Sequence, residues 1–444
     1  MICLFCLNLA GGSVYITFRR LILLMKIFIE TYGCAANQGH SEKLAGLIMN
    51  SNYIIVESEK EADAIILNTC IVKKQTEQKI LDRIKSIRKC FPEKKIVLAG
   101  CLPKIPEILK KADYDGIFNE TENAAATLAK MFGEKSESIK RETNSIRNGK
   151  IRSNPLVDIE EIAEGCIGSC SYCIVRRAKG DLKSETAEKI IKNIENAAKE
   201  GCKEIWLAAQ DTACYGFDSG SSLPELIDSA CSVGSDFSIR IGMMNPEHAL
   251  KILPQLIEAY KSEKVYKFLH LPVQSGSDNV LEKMCRRYKT KNFLFIISEF
   301  RKQFPMVQVW TDIIVGFPGE TEKDFEETIE LMKKAKPDFV NVSQFGTRPG
   351  TPAEKMEQVS GDVKKERSKR LSGILKDIYL ENNKKWIGWE GKVLVTEKSK
   401  TGFLGKNFAY KPVQIKSNKN IIGKYTNVKI TKASSSALFG ETVE

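Results

Sequence analysis

Residues 156–173, LVDIEEIAEGCIGSCSYC, decide the fold. An apolar run of strand character (156–163) leads into a loop carrying Cys166, Cys170 and Cys173 at C-x3-C-x2-C spacing. Three thiolates leave one iron of a four-iron cubane without a protein ligand. That open iron can take a substrate or cofactor, as any open metal site keeps a position for chemistry. Gly165 and Gly168 let the loop turn tightly around such a group. The alternative is three ordinary core cysteines, which rarely crowd into one polar loop.

The strand motif recurs downstream. EIWLAA (204–209), FSIRIGM (237–243), KFLHLPV (267–273), VQVWTDIIV (307–315) and FVNVSQF (339–345) alternate with helical stretches such as TAEKIIKNIENAAKE (186–200) and EKDFEETIELMKKA (322–335). Six strand–helix units predict a partial TIM-like (βα)6 barrel over 155–383, with ligand-bearing loops at the carboxyl ends of its strands. Residues 25–133 alternate similarly, and three runs there end in cysteine: KIFIETYGC (26–34), AIILNTC (64–70) and KIVLAGC (95–101). Short apolar runs between amphipathic helices such as QKILDRIKSIRK (78–89) imply an N-terminal parallel-sheet α/β domain. SEKLAGLIMN (41–50) marks the first helix start. Parallel strands share one carboxyl edge, so Cys34, Cys70 and Cys101 are expected to converge there. Cysteine is also a favoured buried residue, yet a second cluster with one open iron accounts for all three strand ends together. Cys90, Cys202, Cys214, Cys231 and Cys285 follow no such pattern and are read as small core residues.

Composition suits this organisation. The chain has 444 residues, 42% hydrophobic and 28% charged, enough for two or three globular domains. Thirteen cysteines in so long a chain do not read as a disulfide scaffold. The net charge is +12, and residues 384–444 alone carry +8, with 12 lysines, 4 glutamates and neither arginine nor aspartate. Glycine-broken β-rich pieces in that segment predict a small C-terminal β-barrel, and its charge favours a polyanion such as RNA. Trp386, Trp389, Phe403, Phe408 and Tyr410 are either base-stacking platforms or barrel core, core being the simpler reading. Arg176, Arg177, Lys179 and Lys183, beside the first cysteine loop, are either a guide for phosphates or a helix-end charge cluster. His40, His248 and His270 read as structural or surface residues. Residues 134–154 are polar and read as a linker. Residues 1–24 are apolar but broken by Gly11, Gly12, Arg19 and Arg20, short of the ~20 residues a membrane span needs. They read as an upstream extension, with Met25 opening the first strand. No membrane attachment is expected.

EGCIGSCSYC (164–173) resembles the signature of radical-SAM enzymes. The resemblance implies a [4Fe–4S] cluster at Cys166, Cys170 and Cys173 whose open iron chelates S-adenosylmethionine, the source of a 5′-deoxyadenosyl radical. It implies further cofactor contacts: Tyr172 near the adenine, Gln210 and Asp211 ending WLAAQD (206–211), Gln274 in PVQSGS (272–277) and Gly316 in IVGFPGE (314–320). As residues alone these are polar groups and glycines at strand ends, where turns look the same.

With ETYGCAANQ (30–38), ILNTC (66–70) and LAGC (98–101), the chain from Met25 is similar to the methylthiotransferase family. That family has three successive domains, here 25–133, 155–383 and 384–444, the last resembling an OB-like TRAM RNA-binding domain. The resemblance implies insertion of a CH3–S group into a C–H bond. A second [4Fe–4S] cluster at Cys34, Cys70 and Cys101 would carry the sulfur; one S-adenosylmethionine would methylate it and another give the radical. Three branches act on isopentenyladenosine in tRNA, threonylcarbamoyladenosine in tRNA, or an aspartate of a ribosomal protein. RRAKGDLKS (176–184), RIGMMNPEH (240–248) and QFGTRPGTPAEKM (344–356) resemble the second. The implied partners are the anticodon loop of tRNA and an electron donor such as flavodoxin or ferredoxin, in the cytoplasm. A non-enzymatic RNA-binding iron–sulfur sensor is the alternative of a different class.

Overall fold

A computed structural model describes residues 25–51, 53–118, 124–132 and 149–443. The expected upstream extension, and most of the expected linker, lie outside the described residues. The first sheet comprises β1 (Met25–Thr31), β2 (Tyr53–Ile55), β3 (Ala64–Thr69), β4 (Lys95–Gly100) and β5 (Gly116–Ile117). Its order is β2-β1-β3-β4-β5, every pairing parallel. Helices α1 (Ala35–Met49), α2 (Lys74–Cys90), α3 (Pro106–Leu109) and α4 (Ala124–Met131) connect the strands. All of β3 is buried, because helices cover both faces: Ile65 and Leu67 pack with Ile80 and Ile84 of α2, and Ala64 and Ile66 with Leu44 and Ile48 of α1. The expected helix start at 41 is late; α1 begins at Ala35, with Cys34 itself in the N-cap position.

The second unit follows as β6 (Val157–Glu161), β7 (Ala163–Glu164), α5 (Val175–Lys179), β8 (Lys183–Ser184), α6 (Ala187–Lys199), β9 (Glu204–Ala208), α7 (Leu223–Cys231) and β10 (Ser238–Ile241). It continues with α8 (Pro246–Lys251), α9 (Leu253–Ala259), β11 (Phe268–His270), α10 (Asp278–Lys283), α11 (Thr290–Gln303), β12 (Gln308–Val315), α12 (Glu322–Ala335), β13 (Phe339–Gln344) and α13 (Gly361–Lys384). Parallel strands run β6-β9-β10 and β11-β12-β13. Backbone bonds from Ile239 N to Lys264 O and from Tyr266 N to Ile239 O join the two halves into one arc of six strands. Strand residues alternate between helix-packed aliphatics (Leu207, Ile239, Leu269, Val309) and a lumen row in which Arg240 lies over Trp206 and Phe268. The first unit covers the open side of the arc. Ala36 of α1 packs with Ile159 and Ala208, and Lys73 reaches Asn341 of β13 at 3.0 Å.

The chain ends in a closed barrel of β14 (Glu390–Ser399), β15 (Gly402–Asn407), β16 (Pro412–Lys416), β17 (Tyr425–Ala433) and β18 (Leu438–Thr442), in the order β14-β15-β16-β18-β17. Trp386 and Phe403 are buried in its core, whereas Phe408 is 42% exposed. Tyr410 is also buried, but outside that core. It plugs the amino-terminal floor of the six-stranded arc against Tyr266 and Phe268, with ring centroids 5.1 and 4.9 Å apart. Lys406 pairs with the fully buried Glu204 at 2.9 Å, and Lys411 with Asp338 at 3.0 Å. These two lysines therefore dock the barrel rather than face solvent.

Two sequence readings need correction. Cys90 and Cys285 are exposed, not core: Cys90 ends the partly exposed helix α2, and Cys285 sits in a left-handed turn (φ 57°) after α10. The end of the expected linker is pinned. Lys150 binds Asp158 and Glu160, and Arg152 binds Asp158 and Glu200, at 2.6–3.3 Å. These cations neutralise acids that β6 would otherwise bury unpaired. Among the described residues no helix is long and apolar enough to cross a membrane.

Candidate functional site: two cysteine triads joined by a short helix

Cys166, Cys170 and Cys173 occupy the loop beyond β6, at the carboxyl end of the arc. The loop is clamped at its base. β7 pairs with β8 in antiparallel register, Gly165 N donates to Gln210 Oε1 at 2.7 Å, and Cys166 N donates to Gly180 O. Gly165 has φ +81°, and a Cβ there would meet Asp181 O at 2.0 Å, so this position requires glycine. A Cβ on Gly168 would lie 3.3 Å from Cys166 Sγ and 3.8 Å from Cys170 Sγ, filling the cradle between two thiols. Burial pushes the Cys166 thiol up, and raises that of Cys173 to about 12. Both therefore need a compensating cation to ionise.

Gln210 buttresses the loop directly. Gln274, four residues beyond β11, has φ 73°, its N–H donated to Asp312 O and its C=O accepting from Ile314 N. A non-glycine residue held left-handed by two neighbours is a common mark of a functional strand end. Gly316 ends β12 with φ +69° and donates its N–H to Glu320 Oε2 at 2.7 Å. Tyr172 stands edge-on to Phe317, centroids 6.4 Å apart, so the cysteine loop and the β12 loop adjoin. Asp211 is the exception. Its carboxylate accepts from Ala213 N and Asn245 N and lies 2.5 Å from His248 Nδ1, so both oxygens are engaged inside the protein. It shapes the loop rather than presenting a free carboxylate.

The second triad converges as the strand ends predict. Cys34 follows β1, Cys70 follows β3 and Cys101 follows β4, three neighbouring strands. A Cβ on Gly33 would come within 3.1 Å of Cys70 Sγ. Burial raises the Cys70 thiol, and the charge of Cys34 adds to it; burial lifts Cys101 to about 11, with Cys70 and Cys34 contributing. Cations oppose these effects: Arg348 and Lys73 at Cys70, Lys179 and Lys104 at Cys101.

Helix α5 connects the two triads. It starts beyond Cys173, and Ile174 and Ala178 are buried in the same cluster as Cys101, Leu102 and Ile105 of the first unit. Lys179, at its end, pairs with Glu164 at 2.8 Å; Arg177 pairs with Glu107 at 2.8 Å, and Arg176 with Asp181 at 2.5 Å. Three of the four basic residues here thus have protein carboxylates as partners, favouring the charge-cluster reading over a free phosphate guide. Lys183 is exposed on β8.

Three features escaped the sequence. Arg286 places Nη1 3.7 Å from Cys170 Sγ, held by Nη2 to Pro272 O at 3.0 Å. Twin arginines in MCRRYKT (284–290) were the only signal. A lumen chain runs from Lys73 through Asn341 and Asp312 to His270, at 3.0, 2.6 and 2.8 Å; it joins residues from both units, so no local pattern carries it. Arg348, in a loop noted only for resemblance, is buried with its Nη1 2.6 Å from Glu77 Oε2 of α2. The described cysteines are all free thiols. One triad offers three of them beyond the ends of β1, β3 and β4 and the other three within one loop, the donor set of a four-iron cluster with one open iron, so the residues present fit that group.

A family model described as "Uncharacterized protein family UPF0004" matches residues 26–119, and one described as "Radical SAM superfamily" matches residues 161–332. The "Probable threonylcarbamoyladenosine tRNA methylthiotransferase" of Pyrococcus horikoshii is 42% identical, over 95% of this chain and 100% of that protein. The corresponding protein of Archaeoglobus fulgidus is 38% identical over 94% and 98%. The threonylcarbamoyladenosine tRNA methylthiotransferase of Homo sapiens is 35% identical over 95% and 74%. Among solved structures, the radical S-adenosylmethionine methyltransferase TsrM of Kitasatospora setae shares the fold. Its TM-score is 0.51 at 12% identity, covering 74% of this chain and 75% of that one. Identity at this level over nearly the whole chain, with both cysteine triads in place, means that the chain belongs to the threonylcarbamoyladenosine tRNA methylthiotransferase family.

Proposed function

We propose that this protein methylthiolates N6-threonylcarbamoyladenosine at position 37 of tRNA, giving the 2-methylthio derivative. The observation that carries the reading is the pair of three-thiol edges joined through α5. Cys34, Cys70 and Cys101 would hold one [4Fe–4S] cluster, and Cys166, Cys170 and Cys173 the other. When bound, the clusters and S-adenosylmethionine supply the electron, the sulfur, the methyl group and the hydrogen-abstracting radical. The chain's own residues position and shield. Gln210 braces the radical-site loop, Gln274, Gly316 and Tyr172 line the cofactor edge, and the first unit covers the open side of the arc and excludes water. The C-terminal barrel is read as a TRAM domain whose exposed lysines contact the RNA backbone. An acidic ferredoxin or flavodoxin in the cytoplasm would supply the electrons.

The test is nucleoside mass spectrometry of tRNA from cells with and without the gene, complemented by Cys101→Ala or Cys166→Ala chains. The 2-methylthio nucleoside should vanish in the deletion and in both variants. Its persistence in the deletion would reject the assignment. In vitro, Cys166→Ala should abolish 5′-deoxyadenosine formation while Cys101→Ala retains it. A chain that binds clusters but never cleaves S-adenosylmethionine would point to the sensor.

A further inference from the structure

Arg240 stands on β10, in the lumen row of the six-stranded arc, with Trp206 of β9 as its register partner. Its guanidinium lies over three rings, those of Trp206, Phe268 and Tyr410, with Cζ 5.0–5.1 Å from each centroid. This collar attracts the charge, but rings offer no lone pair to the N–H edges. Arg240 Nε is buried without a hydrogen-bond partner, and no carboxylate pairs with the guanidinium, among the described residues.

Two carboxylates of the same lumen are committed elsewhere. Glu204 accepts from Lys406 on both oxygens, at 2.9 and 3.0 Å. Asp312 accepts from Asn341 on one oxygen at 2.6 Å, and its other oxygen lies 2.8 Å from His270 Nε2. A second donor is unmatched beside Arg240's collar. Trp310, whose ring centroid is 5.2 Å from that of Phe268, has its buried Nε1 without a partner among the described residues. Leaving buried donors unmatched costs free energy, most of all when one is charged. An anion entering the lumen would relieve it. A planar guanidinium steadied by aromatic faces keeps its N–H edges as a fixed fork, the match for a carboxylate.

We propose that Arg240 is a specificity-determining residue that binds the carboxylate of the threonylcarbamoyl group on the substrate adenine. This rests on the reading that N6-threonylcarbamoyladenosine is the substrate. Depth favours that anion over the other two that the reaction brings. RNA phosphates belong to a chain that continues on both sides, and stay at the mouth of the lumen. The carboxylate of S-adenosylmethionine belongs at the cysteine loop, which Gln210 braces through Gly165. Gln210 follows Trp206 by four residues, so Arg240 lies up to about 13 Å deeper, at ~3.3 Å per residue. The threonyl carboxylate ends a flexible arm on N6, and C2 is a different corner of the ring. The arm can reach the floor while C2 stays at the cysteine edge. The competing role is a floor plug that ties Tyr410, and with it the C-terminal barrel, to the arc. A plug would not distinguish one RNA from another.

The experiment uses the full chain, reconstituted anaerobically, and three anticodon stem–loop RNAs that differ only at position 37: N6-threonylcarbamoyladenosine, the same nucleoside with its carboxylate amidated, and adenosine. Affinities are read by fluorescence anisotropy at one fixed salt concentration. Wild type should bind the carboxylate RNA at least tenfold more tightly than either of the others. Arg240→Gln should lose at least tenfold on the carboxylate RNA alone; unchanged affinity for the adenosine RNA shows that the variant is folded. Arg240→Lys, which keeps the charge but not the fork, should retain part of the preference. Equal loss on all three RNAs would assign Arg240 to the floor plug and overturn the proposal. So would a wild-type chain indifferent to the carboxylate, or an Arg240→Gln chain that keeps the preference. Methylthiolation of the carboxylate RNA by wild type is measured alongside: its presence keeps the substrate reading intact whatever Arg240 does, and its absence would overturn that reading and the proposal with it.

Discussion

Gly33→Ala should separate the two cysteine sites functionally. Gly33 precedes Cys34 and has φ +116°, a conformation that L residues rarely adopt. Forcing it costs on the order of 1–3 kcal/mol. The new Cβ would also lie 2.8 Å from Cys70 Cβ, at least 0.6 Å short of ordinary contact. Cys70 belongs to a buried strand end and cannot swing away freely, so the overlap adds about 1–3 kcal/mol or opens the Cys34–Cys70 edge. Metal sites tolerate only about 0.2 Å of ligand displacement, so the cluster should be lost before the fold. Gly201→Ala is the control: its φ is +95° with nothing within 4 Å of the added Cβ, so it measures backbone strain alone. Iron counting after anaerobic reconstitution should fall from about eight to about four per chain in Gly33→Ala and stay near eight in Gly201→Ala. Formation of 5′-deoxyadenosine should survive in both, because the Cys166 loop is untouched. Eight irons in Gly33→Ala, with stability equal to the control, would refute the reasoning.

Tyr410→Ala should loosen the contact between the C-terminal barrel and the arc by about 3–5 kcal/mol, the usual cost of deleting a buried aromatic. Urea unfolding followed by tryptophan fluorescence checks this, and the exposed Phe408→Ala should cost less than about 1 kcal/mol. His40 gives a pH signature in the apoprotein. Burial, together with nearby Lys179, lowers its pKa from 6.5 to about 4. The unfolded chain therefore takes up the proton first, so stability present above pH 6.5 is lost as pH falls towards 4, by about 2–3 kcal/mol from this group. His40→Gln should lack that share of the acid sensitivity; identical acid profiles for the two chains would rule it out.

The sequence alone determined both triads, because their logic is local. C-x3-C-x2-C spacing needs only one loop, and a cysteine after each of three apolar runs needs only the rule that parallel strands share an edge. The six-stranded arc was legible for the same reason, as period and order in one dimension. Several things were not. Tyr410 could be read only as barrel core or stacking platform, yet it plugs the floor of a different barrel. Asp211 had the position of a cofactor contact, but its two oxygens are held by residues 213, 245 and 248. Arg286 reaches Cys170 from a loop 116 residues away, and Arg348 reaches Glu77 from one 271 residues away. Spacing specifies which residues leave a strand end together. Only packing decides which side chains from other strands arrive there, because burial obliges each charged or polar group to find its partner in three dimensions. Which thiols form each triad was thus written in the chain, whereas the charge placed around them was decided by the tertiary fold.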